Sequence, residues 1–191
     1  MPRIAALLAA GGGSRFHGDD HKLLAPLRGR PVWEWALEHV VAAEFDTVLL
    51  VTGAVALELP DALAGRVTVH HNPAWARGQA GSVQVAVHAA RELGATEVTI
   101  GLADQPFIGP DSWAAVAGAP SEHPIVIATY EGVAGPNPVR LGEQVWSLLP
   151  TDGDTGARDV IRAHPEWVYP VACVGSVADV DTLEDLERWN R

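Results

Sequence analysis

The sequence predicts an α/β protein built on a mostly parallel sheet, folded as one domain over residues 1–191. Two observations carry that expectation. Short apolar runs and helical stretches alternate from one end of the chain to the other, the order that right-handed strand–helix–strand units require. The runs are apolar without alternation, as strands are when both their faces are covered. At 191 residues the chain also stays below the roughly 250–300 residues at which a single core stops growing.

Residues 4–8 form the first such run, and a glycine-rich loop follows it. Pro31 suits the first turn of a helix, where its missing N–H costs nothing, and Val32, Trp35, Ala36, His39 and Val40 recur at helical spacing. Residues 47–52 read as the second strand, 55–63 as a weak helix interrupted at Pro60, and 67–70 as the third strand, broken by Asn72-Pro73. Residues 82–93 form an amphipathic helix that Gly94 stops. Residues 97–102 are the next strand, running into Asp104-Gln105-Pro106. A short helix begins near Asp111, and 125–130 is a further strand. Residues 138–141 are expected as a short edge segment, because Pro136 and Pro138 exclude a central position. Two short helices bracket Gly153-Asp154. Residues 168–173 make the last strand, which buries Cys173 as inert core. Residues 182–189 close the chain as a helix, with Thr182 and Asp185 spaced as a capping box.

Composition narrows the partners. Twenty-four acidic residues against thirteen basic ones give a net charge of −11, a surface that repels nucleic acid and anionic membrane. A small anionic ligand remains, wherever local cations and backbone N–H groups outweigh the global field. Among the basic residues only Lys22 is a lysine, a compact point charge that arginine does not replace. With one cysteine, neither an intrachain disulfide nor a cysteine-based metal site can form. The start imitates a secretory leader, with Arg3 ahead of a short apolar run. That run is at the lower length limit and equally suits a buried first strand. No segment approaches the 18 apolar residues of a membrane span, and a cytoplasmic location is expected.

The loop at residues 11–22 and Asp104 both follow strands, and in such sheets ligands bind beyond the carboxyl ends. Three glycines, Gly11 to Gly13, let backbone N–H groups approach an anion, and Arg15 and Lys22 add charge. This is neither of the familiar phosphate loops. Gly18 is followed by Asp19 where a P-loop needs lysine, and Phe16 stands where a dinucleotide turn needs glycine. Asp104 could hold Mg²⁺, which takes one or two carboxylates plus phosphates and water, or could serve as a turn residue. In Asp179-Val180-Asp181-Thr182, Asp179 reads as part of a helix-capping cluster. His70 and His71 point to opposite faces of a strand and form no ligand pair. Most of the tryptophans read as packing residues, and Trp75, in a candidate ligand loop, is the exception.

Taken in order, these pieces resemble the MobA-like nucleotidyltransferases, and within them most closely the molybdenum cofactor cytidylyltransferases. Leu8-Ala9-Ala10-Gly11, Arg15 and Lys22-Leu23-Leu24 match the opening L-A-A-G-x-S-x-R-M-G-x-x-K pattern, with Phe16 for Met. Asn72-Pro73, Trp75, Gly78-Gln79 and Ser82 look like the second nucleotide-contacting segment, and Asp104-Gln105-Pro106 resembles a metal-binding D-Q-P. Gly135-Pro136-Asn137-Pro138-Val139, Gly153-Asp154-x-Gly156-Ala157-Arg158 and Asp181-Thr182-x-Glu184-Asp185-Leu186 parallel three later motifs. Three departures stand out. The interval from Arg15 to Lys22 is two residues longer, Gly13 occupies the usual Ser, and Asn137 replaces the usual His where the acceptor is expected.

The resemblance implies a three-layer α/β/α Rossmann-like fold and transfer of a nucleotide from a nucleoside triphosphate to a phosphorylated acceptor, with Mg²⁺ as cofactor. It implies that Leu8, Ala9, Ala10, Gly11, Gly12, Gly13, Ser14, Arg15 and Lys22, with Gly78, Gln79 and Ser82, bind the nucleotide. Lys22, Arg15 and Asp104 would be catalytic, and Asp104 and Asp181 would hold the metal. The Ala-Ala-Gly opening favours CTP, with a molybdenum-pterin acceptor and a molybdoenzyme or cofactor-delivery partner. Two alternatives stay open: guanylyl or uridylyl transfer to a phospho-acid or sugar phosphate, and a nucleotide-binding delivery protein without turnover.

Overall fold

The computed structural model describes residues 1–18, 20–120, 122–131 and 133–191, with side chains for all of these except 133–136. Strand β1 (Ile4–Ala9) lies inside the sheet, and every one of its residues is buried. Ile4, Ala6 and Leu8 enter one apolar cluster and Ala5, Leu7 and Ala9 another, which explains the unbroken apolar run. A seven-stranded sheet has the order β5–β4–β1–β6–β8–β7–β9, where β4 is Thr47–Thr52, β5 Val67–His71, β6 Glu97–Leu102, β7 Ile125–Tyr130, β8 Val133–Gly142 and β9 Val168–Cys173. β1 runs parallel to both β4 and β6, and only β8 is antiparallel to its neighbours β6 and β7.

Helices α1 (Val32–Ala42) and α3 (Pro110–Ala117) cover one face through Trp33, Leu37, Val40 and Trp113. Helices α2 (Gln79–Glu92), α4 (Glu143–Trp146) and α5 (Arg158–Ala163) cover the other through Val83, Val87, Trp146 and Val160. The result is the expected three-layer, mostly parallel mixed sheet. The last helix, α6 (Leu183–Asn190), begins with the expected capping box: Asp185 N–H donates to Thr182 Oγ1 and Thr182 N–H to Asp185 Oδ2. It packs Leu186 beside Leu27 and Val32, against a small hairpin of β2 (Pro26–Leu27) and β3 (Arg30–Pro31). Among the described residues no helix is long and apolar enough to cross a membrane.

Several expectations are corrected. Segment 138–141 is not an edge piece but part of β8, well inside the sheet. Its prolines are tolerated because pairing with β6 begins at Val139, and the register with β7 slips between Ile127 and Thr129 where they lie. Residues 55–63 form no helix beyond a single turn at Asp61–Leu63, since Pro60 denies the preceding segment its hydrogen bonds. Pro31 ends β3 and stands just before α1 rather than opening it. β9 is an edge strand paired only with β7, which leaves Cys173 half-buried instead of in the core.

Candidate active site

The carboxyl ends of β1 and β6 open onto one cleft of about 670 Å³. The loop after β1 forms one wall. Gly13 adopts a φ of +62°, and Phe16 N–H donates to Gly13 C=O at 2.9 Å, folding Ser14 and Arg15 into a turn. Among the described residues no acceptor engages the N–H groups of Gly11, Gly12, Gly13 or Ser14. That leaves four donors in the cleft wall without a partner of their own, as an anion cradle requires. Gly12 is held close, because a Cβ there would come within 2.8 Å of the Trp75 ring. Trp75 therefore packs on the loop as well as lining the cleft.

His21 fastens the loop at its far end. Leu23 N–H donates to His21 Nδ1 at 3.2 Å, so the ring proton sits on Nε2, which donates to Gly11 C=O at 2.9 Å. The Leu23 contact requires neutral imidazole, because a protonated Nδ1 cannot accept. Burial pushes its pKa down; the Gly11 bond opposes that, and the Lys22 charge adds to it. A group with a depressed cationic pKa costs stability once the unfolded chain begins to protonate, below about pH 6.5. The stability advantage of the wild type over His21→Leu is therefore expected to shrink steadily as pH falls from 7.5 to 5. Paired melts at matched pH read that difference, and a gap independent of pH would remove the assigned role.

The opposite wall starts with Asp104, two residues beyond β6. Its backbone C=O accepts from Val180 N–H at 2.9 Å, which brings the 179–181 segment alongside. Asp181 is further fixed by its N–H to Asp185 Oδ2 at 3.3 Å, so the capping box of α6 also positions this carboxylate. Lys22 reaches between them. Its Nζ lies 2.6 Å from Asp104 Oδ2 and 2.6 Å from Asp181 Oδ1, and Arg15 pairs with Asp181 Oδ2 at 2.6 Å. Burial alone would lower the Lys22 pKa, but Asp104 and then Asp181 overcome it and hold the ammonium above its ordinary value. Asp104 Oδ1 is buried and has no partner among the described residues. An unpaired carboxylate oxygen beside a second carboxylate is a donor set that suits a hard divalent cation.

The third wall is the segment before α2 and that helix's first turns. Asn72 Nδ2 donates to Ser82 Oγ at 3.0 Å, and Gly153 accepts from Ala80 N–H at 2.9 Å. The residues expected at the site, Leu8 to Arg15 and Lys22, with Gly78, Gln79, Ser82, Asp104 and Asp181, line this one cleft. Asp19, within the loop, lies outside the described residues.

Asp154, Arg158 and Asp179 line the cleft as well. The capping reading of Asp179 is wrong: Thr182 and Asp185 cap α6. The signal for it is the alternation of the two carboxylates, Asp179 and Asp181, both of which line the cleft. Burial raises the Asp179 pKa, with the Asp181 charge adding to it.

Comparison with known proteins bears on the fold and the family. A nicotine blue oxidoreductase from Paenarthrobacter nicotinovorans is 30% identical over 95% of this chain and 93% of its own. A nucleotidyl transferase from Methanothermobacter thermautotroptrophicus superposes with a TM-score of 0.82 at 25% identity, covering 98% of this chain and 95% of that one. Rv0371c from Mycobacterium tuberculosis, in complex with manganese, does so with a TM-score of 0.76 at 25% identity over 99% and 98%. Residues 5–168 match the MobA-like NTP transferase domain. The chain belongs to the MobA-like NTP transferase family.

Proposed function

We propose that the chain, acting as a single domain in the cytoplasm, transfers a nucleotide from a nucleoside triphosphate, CTP by preference, to a phosphorylated acceptor such as a molybdenum-pterin cofactor. The observation that carries this reading is the Lys22 ammonium bridging Asp104 and Asp181 in the same cleft as a loop whose N–H groups at residues 11–14 meet no acceptor among the described residues. An oxygen of the acceptor phosphate would form a bond to the α-phosphorus as the α–β bridging bond breaks and pyrophosphate leaves. Such transfer depends on positioning and charge neutralisation more than on covalent work by the protein. The N–H groups of residues 11–14 and Arg15 would bind the triphosphate, and Lys22 would neutralise charge at the α-phosphate and leaving group. Ala9, Ala10 and residues 78–82 would frame the base.

The fit of a divalent cation rests on Asp104 and Asp181, the first with a buried unpartnered oxygen. Bound there, Mg²⁺ would supply charge neutralisation to the phosphates. In this structure Lys22 and Arg15 are the groups that pair with the two carboxylates. Substrate binding would then exchange partners, with cations passing to the phosphates.

The test is pyrophosphate release with each of the four triphosphates, using a phosphorylated pterin or phospholactate as acceptor. Release with CTP and the pterin supports the proposal. Release with GTP or UTP and phospholactate would replace the base and acceptor assignment. Thermal stabilisation by CTP with no release under any pairing would make the protein a nucleotide-binding delivery partner. The oxidoreductase relative adds one more arm. Reduction of nicotine blue without any pyrophosphate release would overturn nucleotidyl transfer itself.

A further inference from the structure

The three consecutive glycines of the loop differ in what holds them. A Cβ at Gly11 would meet nothing within 4 Å, and Gly13 has its left-handed φ of +62°. Gly12 lies outside the left-handed region, yet a Cβ there would stand 2.8 Å from Trp75 Cζ3 and 3.5 Å from Cη2. Its small size answers to the indole alone. His21 restrains Gly11 through the carbonyl, and Phe16 N–H restrains Gly13 in the same way. Among the described residues no hydrogen bond restrains Gly12. The ring is what keeps the freest residue of the loop in place.

The root of the Trp75 side chain is itself fixed. Gly53, the first residue beyond β4, also has no left-handed backbone. A Cβ on Gly53 would lie 2.7 Å from Trp75 Cβ and 2.6 Å from the Ala10 carbonyl oxygen. Ala54 N–H donates to that carbonyl at 3.1 Å, which ties the ends of β1 and β4 together around the indole. Trp75 opens a single turn, Trp75–Arg77, between β5 and α2, and Asn72 seats the turn. Asn72 is 3% exposed and spends all its polar groups there. Its N–H donates to Thr52 C=O at 2.8 Å, and its C=O accepts from Trp75 N–H at 3.3 Å. Its Oδ1 accepts from Ala74 N–H, and its Nδ2 donates to Ser82 Oγ, both at 3.0 Å. The indole therefore spans from the Asn72–Ser82 wall of the cleft to the glycine wall, while it lines the cleft itself.

We infer that Trp75 is a positioning residue for the phosphate loop. Its ring sets the course of Gly12, and with it the direction of the N–H groups at residues 11–14. What those groups bind rests on the transfer reading above; the contact itself does not.

The test is calorimetric binding of inorganic triphosphate with Mg²⁺, a probe that carries no base and needs no acceptor. Trp75→Ala is expected to bind it about tenfold more weakly, the worth of one hydrogen bond to a charged group. Gly12→Ala should also weaken it, because the new Cβ drives either the ring or the loop from its place. In Trp75→Ala/Gly12→Ala the Cβ has no ring to meet, so the second substitution should add no further loss. Additive losses would overturn the inference. So would wild-type affinity in Trp75→Ala with the damage confined to the melting temperature, which would leave the indole a packing residue. If Trp75→Ala does not fold, Trp75→Phe, with its smaller ring, takes its place in the cycle with the same expected order. Coupled losses in a protein that releases no pyrophosphate from any nucleotide would fail the transfer reading and leave this inference standing. Pyrophosphate release together with uncoupled losses would do the reverse, and a wild type that binds no triphosphate would overturn both.

Discussion

Gly78→Ala is expected to destabilise the protein by at least about 3 kcal/mol, the sum of backbone strain and forced overpacking. Gly78 precedes α2 with φ 109° and ψ 176°, a region that side chains essentially never enter. A Cβ there would also meet the Gly153 backbone oxygen at 2.4 Å, and a carbonyl cannot swing aside as a flexible side chain could. For a domain of this size the melting temperature should fall by about 6–12 °C. Gly94→Ala is the control. It also has a positive φ, 73°, but open space around it, so its cost should stay near 1–2 kcal/mol. Equal losses at the two positions would remove the close approach as the cause. The damage at Gly78 reaches function as well as stability. Residues 77–80 are stitched to 152–153 by Gly153 N–H to Arg77 C=O and Ala80 N–H to Gly153 C=O, both 2.9 Å. Any backbone shift therefore moves Gln79 on one wall and disturbs the turn that leads to Asp154 and Arg158 on another.

Which features the sequence exposes follows from how locally each is encoded. β1, β4 and β6 are legible because burial on both faces leaves unbroken apolar runs, and the loop and Asp104 are legible because they end those runs. β8 is not. Its place between β6 and β7 depends on partners far away in the chain, and on a register slip that takes Pro136 and Pro138 out of the ladder. The β2–β3 hairpin is too short to show any period. Cys173 misleads because an apolar strand of this length looks the same at the sheet edge as at its centre. At the site, residue types announce candidates but not pairings. Lys22 meets Asp104 across 82 positions and Asp181 across 159, separations that no local pattern reports. Asn137 is further removed still, since its amide donates to Gln105, whose own amide donates to the Val177 carbonyl.

Lys22→Ala is expected to lower the rate of pyrophosphate release by a factor on the order of 10²–10³, the usual cost of removing one charged transition-state contact. The Lys22 ion pairs add a second expectation that does not depend on turnover. The Lys22 side chain is only 11% exposed and holds two carboxylates together. Its removal leaves Asp104 and Asp181 facing each other in a part-buried site, where like charges repel and a divalent cation gains both ligands. In the wild type the same cation must first displace the ammonium. Mn²⁺ alone, without nucleotide, should therefore raise the melting temperature of Lys22→Ala more than that of the wild type. At about 100 times its dissociation constant the gain is about 2.7 kcal/mol, or roughly 5–11 °C. Adding Asp104→Ala or Asp181→Ala to the variant should abolish the shift. Equal shifts in wild type and Lys22→Ala would mean that the metal binds elsewhere. Lys22→Arg should not restore turnover, because a planar guanidinium does not reproduce a point charge within 2.6 Å of two separate oxygens. The contrast holds across the neutral range. A raised ammonium pKa contributes stability below the unfolded lysine value of about 10.4, lost only as pH rises through the higher folded value. At any ordinary assay pH, then, the carboxylates of the wild type are already occupied by the protein's own cation. Metal and triphosphate must arrive so that each relieves the other's competitor, the phosphates drawing off Lys22 and Arg15 while the cation takes Asp104 and Asp181.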